Sequence, residues 1–206
     1  MTVKPGSAWG DVVTAPEGAL VVRNDDELAA AIERGESRPL VVTGGDLHRT
    51  AGSPAGAGTV VRVPIDVLNA SADGDAMTAV AHVVARRPGR SGWWRGRIVA
   101  VMNVEHIGAW DVAPRAHPND GRFDLVDVAA SMSLRERWYA SRRLRTGTHV
   151  PHPRIASRRS RQETFTFDRP MALWLDGVSR GTVRSLSVSV VPDATEIYLG
   201  EPNEHV

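Results

Sequence analysis

Apolar and polar positions change period several times along the chain, and each change marks an element. Within residues 182–191 Leu186, Val188 and Val190 alternate with Ser185, Ser187 and Ser189. A period of two belongs to a half-buried strand. Residues 123–128 alternate apolar with acidic, Phe123, Leu125 and Val128 around Asp124 and Asp127, and predict another strand. Short runs at 155–157, 163–167, 171–175 and 196–199 complete a strand-rich C-terminal half. The uninterrupted apolar run at 98–102 predicts a buried strand. Residues 133–147 break this rhythm. Ser133 and Glu136 have the spacing of a capping box, Gly147 is the stop, and Leu134, Trp138 and Tyr139 are expected to face inward.

The N-terminal part reads differently. Residues 19–23 predict a strand. Asn24 caps a helix with Glu27 three residues on, and Leu28, Ala31 and Ile32 form its apolar face up to Gly35. A second apolar strand follows at 39–43. Strand, helix, strand is one βαβ unit with a buried parallel pair. Residues 59–64 predict a strand. Periodicity leaves 75–87 open between a helix capped by Asp75 and a strand through 79–84. Residues 1–17 read as a loosely held arm, and the low-complexity segment at 51–58 as a connector. The predicted class is α+β. A small α/β fragment at 1–58 precedes a larger, mainly antiparallel β-sandwich domain with one helix at 59–206.

Composition removes several chemistries. The chain has 206 residues and a formal net charge of +1, so bulk charge selects no partner. It has no cysteine, which excludes disulfides, thiolate metal sites and a cysteine nucleophile. Lys4 is the only lysine, so the lysine of a Walker A loop is missing. No run of 18 apolar residues and no apolar leader is present. A soluble, cytoplasmic protein is expected, with membrane contact of a peripheral kind only.

Three turns carry candidate chemistry. Gly44-Gly45-Asp46 follows the second strand at its carboxyl end, where open α/β sheets bind ligands, and two glycines let a backbone approach a phosphate closely. It reads equally as a plain strand-end turn. Asn119-Asp120-Gly121 follows an irregular loop at 111–118, and Asp120 either forms an Asx-turn or serves as a hard oxygen ligand. Asp176-Gly177 ends the run at 171–175. It reads as a site aspartate positioned by a strand or as a two-residue hairpin turn with no chemistry. In both cases Asn at position 176 is expected to keep the turn.

Residues 113–128, APRAHPNDGRFDLVDV, with the later LWLDG at 173–177, resemble the C-terminal domain of the diacylglycerol kinase catalytic family, the bacterial lipid kinases. Residues 43–48 stand where that family has its Gly-Gly-Asp-Gly-Thr nucleotide loop. The likeness runs roughly from 39 to 193. It implies ATP-dependent phosphoryl transfer to a lipid hydroxyl such as that of diacylglycerol, with ATP and magnesium as cofactors. Carried over residue by residue, Gly44, Gly45 and Asp46 hold the nucleotide. Asp120 and the carbonyls of His117 and Arg122 hold magnesium, and Asp176 is the base that takes the acceptor's proton. The chain departs from the pattern at Leu47 and His48, at Val178 in place of an acidic residue, and in the small number of βα units. These departures imply an alternative, a catalytically silent relative that binds lipid or a partner, or a homo-oligomer that completes the ATP site.

Residues 135–161 hold nine arginines against Glu136. A basic helix with aromatic residues suits an anionic membrane surface. No helix-turn-helix, zinc or RNA-binding signature accompanies it, so nucleic acid is not expected. His149 and His152 lack the helical spacing of a zinc pair and read as packed loop residues.

Overall fold

The protein is described by a computed structural model that covers residues 9–52 and 59–200. The start of the arm and most of the connector lie outside these. The elements are β1 (Asp11–Thr14), β2 (Leu20–Val22), α1 (Asp25–Glu33), β3 (Leu40–Val42), α2 (Gly45–Thr50), β4 (Thr59–Ala72), β5 (Asp75–Ala79), β6 (His82–Arg86), β7 (Ile98–Met102), β8 (His106–Ile107), β9 (Trp110–Asp111), β10 (Phe123–Val128), α3 (Leu134–Arg143), β11 (Ile155–Ser160), β12 (Gln162–Leu175) and β13 (Val178–Leu199). Single-turn 3₁₀ segments occur at Arg90–Trp93 and Leu144–Thr146.

One sheet runs β1-β4-β13-β12-β6-β7-β10-β11, with β5 beside β4, β3 beside β13 and β2 beside β3. All pairs are antiparallel except β2/β3 and β3/β13. Leu68 of β4, Phe165 of β12 and Phe123 of β10 share one core, although several strands separate β4 from β10 along the sheet. Only a sheet folded back on itself brings them together, and this is the β-sandwich. The βαβ fragment attaches through β3, where Val41 and Val42 pair with Tyr198 and Leu199. Its helix packs Leu28, Ala29 and Ala31 into a second core with Val63, Ile65 and Ile197. The parallel pair is as the apolar run at 39–43 predicted.

Several expectations change. The described part of the arm is strand β1, paired with β4 over Asp11–Arg62 to Thr14–Thr59, and Trp9 Nε1 donates to the Pro64 carbonyl at 3.1 Å. The ambiguous segment at 75–87 is two strands broken at Val80-Ala81. The strands at 163–167 and 171–175 are one strand with a bulge between Thr166 and Met171. Pro170 sits in that bulge, where its missing N–H costs no ladder bond. Pro192 sits likewise in the β13 irregularity between Val191 and Thr195.

The helix at 133–147 forms with both arms of its capping box, but it presents the opposite face. Leu134, Trp138 and Tyr139 are 48%, 46% and 48% exposed, while Arg137 is 4% exposed. Its guanidinium donates to the carbonyls of Met132, Trp93, Ala129 and Gly96. Four directed bonds from one side chain fix the helix rotation, and the inward stripe becomes Arg137, Ala140 and Leu144, the i, i+3, i+7 set.

Candidate functional site

Asp176 and Gly177 form the two-residue loop between β12 and β13, closing on the pair Leu175–Val178. Both take positive φ, 47° and 81°, as a type I′ turn requires. The Asp176 carboxylate reaches across to the break between β5 and β6. Oδ2 accepts from Val80 N at 2.8 Å, and Oδ1 accepts from Ala81 N and His82 N, each at 2.9 Å. Asn103 holds the break open: its Nδ2 donates to the Val80 carbonyl at 2.8 Å and its N–H to that of Ala81. Asp73-Gly74 repeats the device. It turns β4 into β5 with positive φ, and the Asp73 carboxylate accepts from Arg184 N and Ser185 N. The turn reading of Asp176 is therefore physically complete. What separates the two aspartates is the surroundings.

His82 is buried beside Asp176. Its Nε2 lies 3.1 Å from Asp46 Oδ2, and Asp46 Oδ1 accepts from Gly108 N at 2.8 Å. Asp46 and Asp176 thus meet at one histidine. Burial opposes the charged imidazolium. The bond to Asp46 and the charges of Asp176, Asp46 and Asp25 outweigh it and hold His82 above its ordinary value. Burial pushes the Asp176 carboxyl up, against the pull of His82 and the three N–H donors. A carboxylate offers about four lone-pair directions; three here are spent on backbone, which leaves one on Oδ2.

The glycine loop is the first turn of α2, with Gly44 as its extended cap and Gly45 at φ 95°. Two of its donors are engaged. Asp25, the first residue of α1, accepts from Asp46 N at 2.6 Å and Leu47 N at 3.2 Å. A Cβ on Gly45 would stand 2.4 Å from Asp25 Oδ1, so the glycine makes room for a side chain of this same protein. Burial, then the charge of Asp176, pushes the Asp25 carboxyl up to about 7, against the two N–H donors. Asp25 was not singled out from sequence, and His82 stood out only as one of several histidines read as ordinary packed residues. Asp25 is hidden in a helix-capping run, and His82 lies in the segment whose periodicity was undecided.

Asp120 sits some distance along the chain from this cluster and takes part in other contacts. Its Oδ1 accepts from Arg122 N at 3.0 Å, the Asx-turn, and its Oδ2 lies 3.3 Å from Arg159. His117 turns its ring onto Asn119 N through Nδ1 and onto Trp9 edge-to-face. The adjacent buried Asp66 accepts from Gly121 N and Asp193 N. As arranged, a divalent ion at Asp120 would meet the Arg159 guanidinium, so this turn does not fit the ion without a change of partner.

An apolar cavity of about 330 Å³ lies under α3, walled by Trp93, Ile107, Trp110, Val126, Met132 and Leu144 among others, a volume at the lower end of ligand pockets, about 300–1,000 Å³. Arg137 and His149 are its buried polar side chains. Burial holds this imidazole below its ordinary value, against the Asp111 charge and the Val112 backbone, and so keeps it neutral. The β8–β9 hairpin, absent from the sequence reading, touches both the cavity and the Asp46–His82–Asp176 cluster. Its Gly108 N–H holds Asp46 on one side, and Ile107 and Trp110 line the cavity on the other.

A β-sandwich with an adjoining cluster of carboxylates around one histidine is the class these features define. Residues 81–199 match the family model described as the YegS C-terminal NAD kinase beta sandwich-like domain. This is more than half of the chain, which belongs to that family. Among solved structures, two from Bacillus anthracis str. Sterne, each called a "putative diacylglycerol kinase", share the fold. One has a TM-score of 0.63 at 15% identity, covering 87% of this chain and 76% of its own. The other has 0.61 at 13%, covering 89% and 78%. No curated protein sequence matches the chain. No helix of the described residues is long and apolar enough to cross a membrane.

Proposed function

We propose that the protein binds a long-chain lipid, with the chain in the cavity under α3 and the polar end toward Asp46 and Asp176, and that it transfers no phosphate. The observation that carries this is the β8–β9 hairpin, which lines the apolar cavity with Ile107 and Trp110 and holds Asp46 of the carboxylate cluster through the Gly108 N–H. An amphiphile is the ligand that needs both. His149 offers a neutral partner to an ester or hydroxyl group on the way. Against nucleotide stand the two loop N–H groups already bound to Asp25. The loop as arranged does not fit a triphosphate.

The second reading is ATP-dependent phosphorylation of a lipid hydroxyl such as that of diacylglycerol, with magnesium. The convergence of Asp46 and Asp176 on His82 favours it, and it requires Asp25 to leave the loop. One experiment separates the two. The protein is titrated with a fluorescent long-chain fatty acid, and is incubated with dispersed diacylglycerol, magnesium and γ-labelled ATP. Saturable probe binding without labelled lipid is expected. Labelled lipid would establish the kinase reading, and absence of both signals would overturn lipid binding itself.

A further inference from the structure

The face that α3 turns outward is unusual for a helix of a folded domain. Trp138 and Tyr139 meet edge-to-face with ring centroids 5.0 Å apart. The Arg142 guanidinium lies 4.9 Å from the Trp138 ring, and that of Arg135 lies 5.7 Å from Tyr139. Both are i, i+4 pairs. Leu134 extends the patch at one end. Arg135, Arg142, Arg143 and Arg145 are exposed, and none of them enters an ion pair among the described residues. Large apolar side chains ringed by unpaired cations are costly to leave in water and are what an interfacial helix presents.

We propose that this face docks on an anionic lipid bilayer. Tryptophan and tyrosine settle at the headgroup level because one end of each ring is apolar and the other polar. Arginines beside them meet the negative surface, each with an attraction that falls off within a Debye length. A protein partner is the poorer fit. The helix has ten residues, so it is about 15 Å long and about 10–12 Å across, and its face of roughly 150–180 Å² is far short of the roughly 800 Å² per partner of a stable protein interface. Placement is a second argument. Ser141 and Leu144 of this same helical segment, with the 41% exposed Trp94, line the lipid cavity. A protein seated on this face has its cavity beside the bilayer, where its ligand resides. This last step rests on the lipid-binding reading above.

The test is co-sedimentation of the full chain with vesicles. Binding is expected to vesicles of phosphatidylcholine and phosphatidylglycerol in a two-to-one ratio, to weaken with salt, and to be slight on phosphatidylcholine alone. Replacing both Arg135 and Arg142 by Ala is expected to weaken it about 30-fold, at roughly fivefold per arginine. Replacing both Trp138 and Tyr139 by Ala is expected to abolish it, while leaving the melting temperature and the binding of the fluorescent fatty acid in place, since these side chains point out of the fold. No binding by the wild type, equal binding to neutral vesicles, or unchanged binding by either double variant would overturn the proposal. Vesicle binding that survives a failure of the fatty-acid titration would leave the docking face standing and remove the cavity's ligand.

Discussion

Asp25→Asn tests the electrostatics of the carboxylate cluster. In the wild type a buried carboxyl with two backbone donors lies near Asp46 and Asp176 and is pushed from 3.8 to about 7. The folded protein therefore holds that proton through a pH range in which the unfolded chain has lost it. Stability contributed this way is full below the unfolded value and is lost as pH rises toward 7. At 1.36 kcal/mol per pH unit the loss is about 4 kcal/mol. His82, also raised, acts in the same direction, its stabilisation present below its unfolded value and lost as pH climbs through the folded one. Asn keeps the shape and cannot ionise. It offers one acceptor where two N–H groups need one, which costs about 1–3 kcal/mol at every pH. The expected pattern is a variant less stable than the wild type at pH 4 and equal or more stable at pH 8. Urea unfolding at intervals between pH 4 and 8 measures it. Parallel stability profiles for the two proteins would refute a raised carboxyl at position 25.

Other perturbations address the supports of the site. Asp176→Asn keeps a residue that suits the turn, but one of three converging N–H groups loses its acceptor, so a loss of about 1–3 kcal/mol is expected; an unchanged melting temperature, the outcome anticipated from the turn alone, would show that the N–H contacts carry no weight. Arg137→Ala strands four carbonyls around α3 and removes a buried stem, and is expected to cost about 3 kcal/mol or more; a shift under one degree in a thermal melt would contradict that role. Ser133→Ala removes the cap of the same helix and is expected to cost about 1 kcal/mol, read by chemical denaturation. Gly45→Ala places a methyl against Asp25 Oδ1 on a backbone of positive φ, and is expected to destabilise clearly more than Gly74→Ala, which meets only the φ penalty; equal effects would mean that the Asp25 contact is slack.

What could be read from sequence follows the range of the forces involved. The strand at 182–191 and the capping boxes at Asn24 and Ser133 depend on residues a few positions apart, and their elements form where expected. Even there one detail shifts by a residue: Glu27 reaches back to Arg23 N rather than to the cap's own N–H. The arm was misjudged because β1 has its partner about fifty residues on. The orientation of α3 was misjudged because apolar periodicity lost to four hydrogen bonds from Arg137 to carbonyls outside the helix. Asp46 and Asp176 were legible as turn aspartates, and their meeting at His82 was not, since it needs the β5–β6 break and the hairpin at 106–111. The filling of the glycine loop by Asp25 was least legible of all. Two glycines signal close approach by something, and nothing in the motif says whether that is a phosphate or a neighbouring carboxylate.

The central claim is that the space under α3 belongs to a lipid chain. Ala140 lines that cavity from the helix and is only partly buried, so a larger side chain there can enter the cavity without opening the core. The decisive measurement is the affinity of the fluorescent long-chain fatty acid for the wild type and for Ala140→Phe, with melting temperatures taken on both. One site per chain in the wild type, weakened tenfold or more in a variant that still melts at the same temperature, is the expected result. Unsaturable probe uptake by the wild type, or full affinity in the filled variant, would contradict the account.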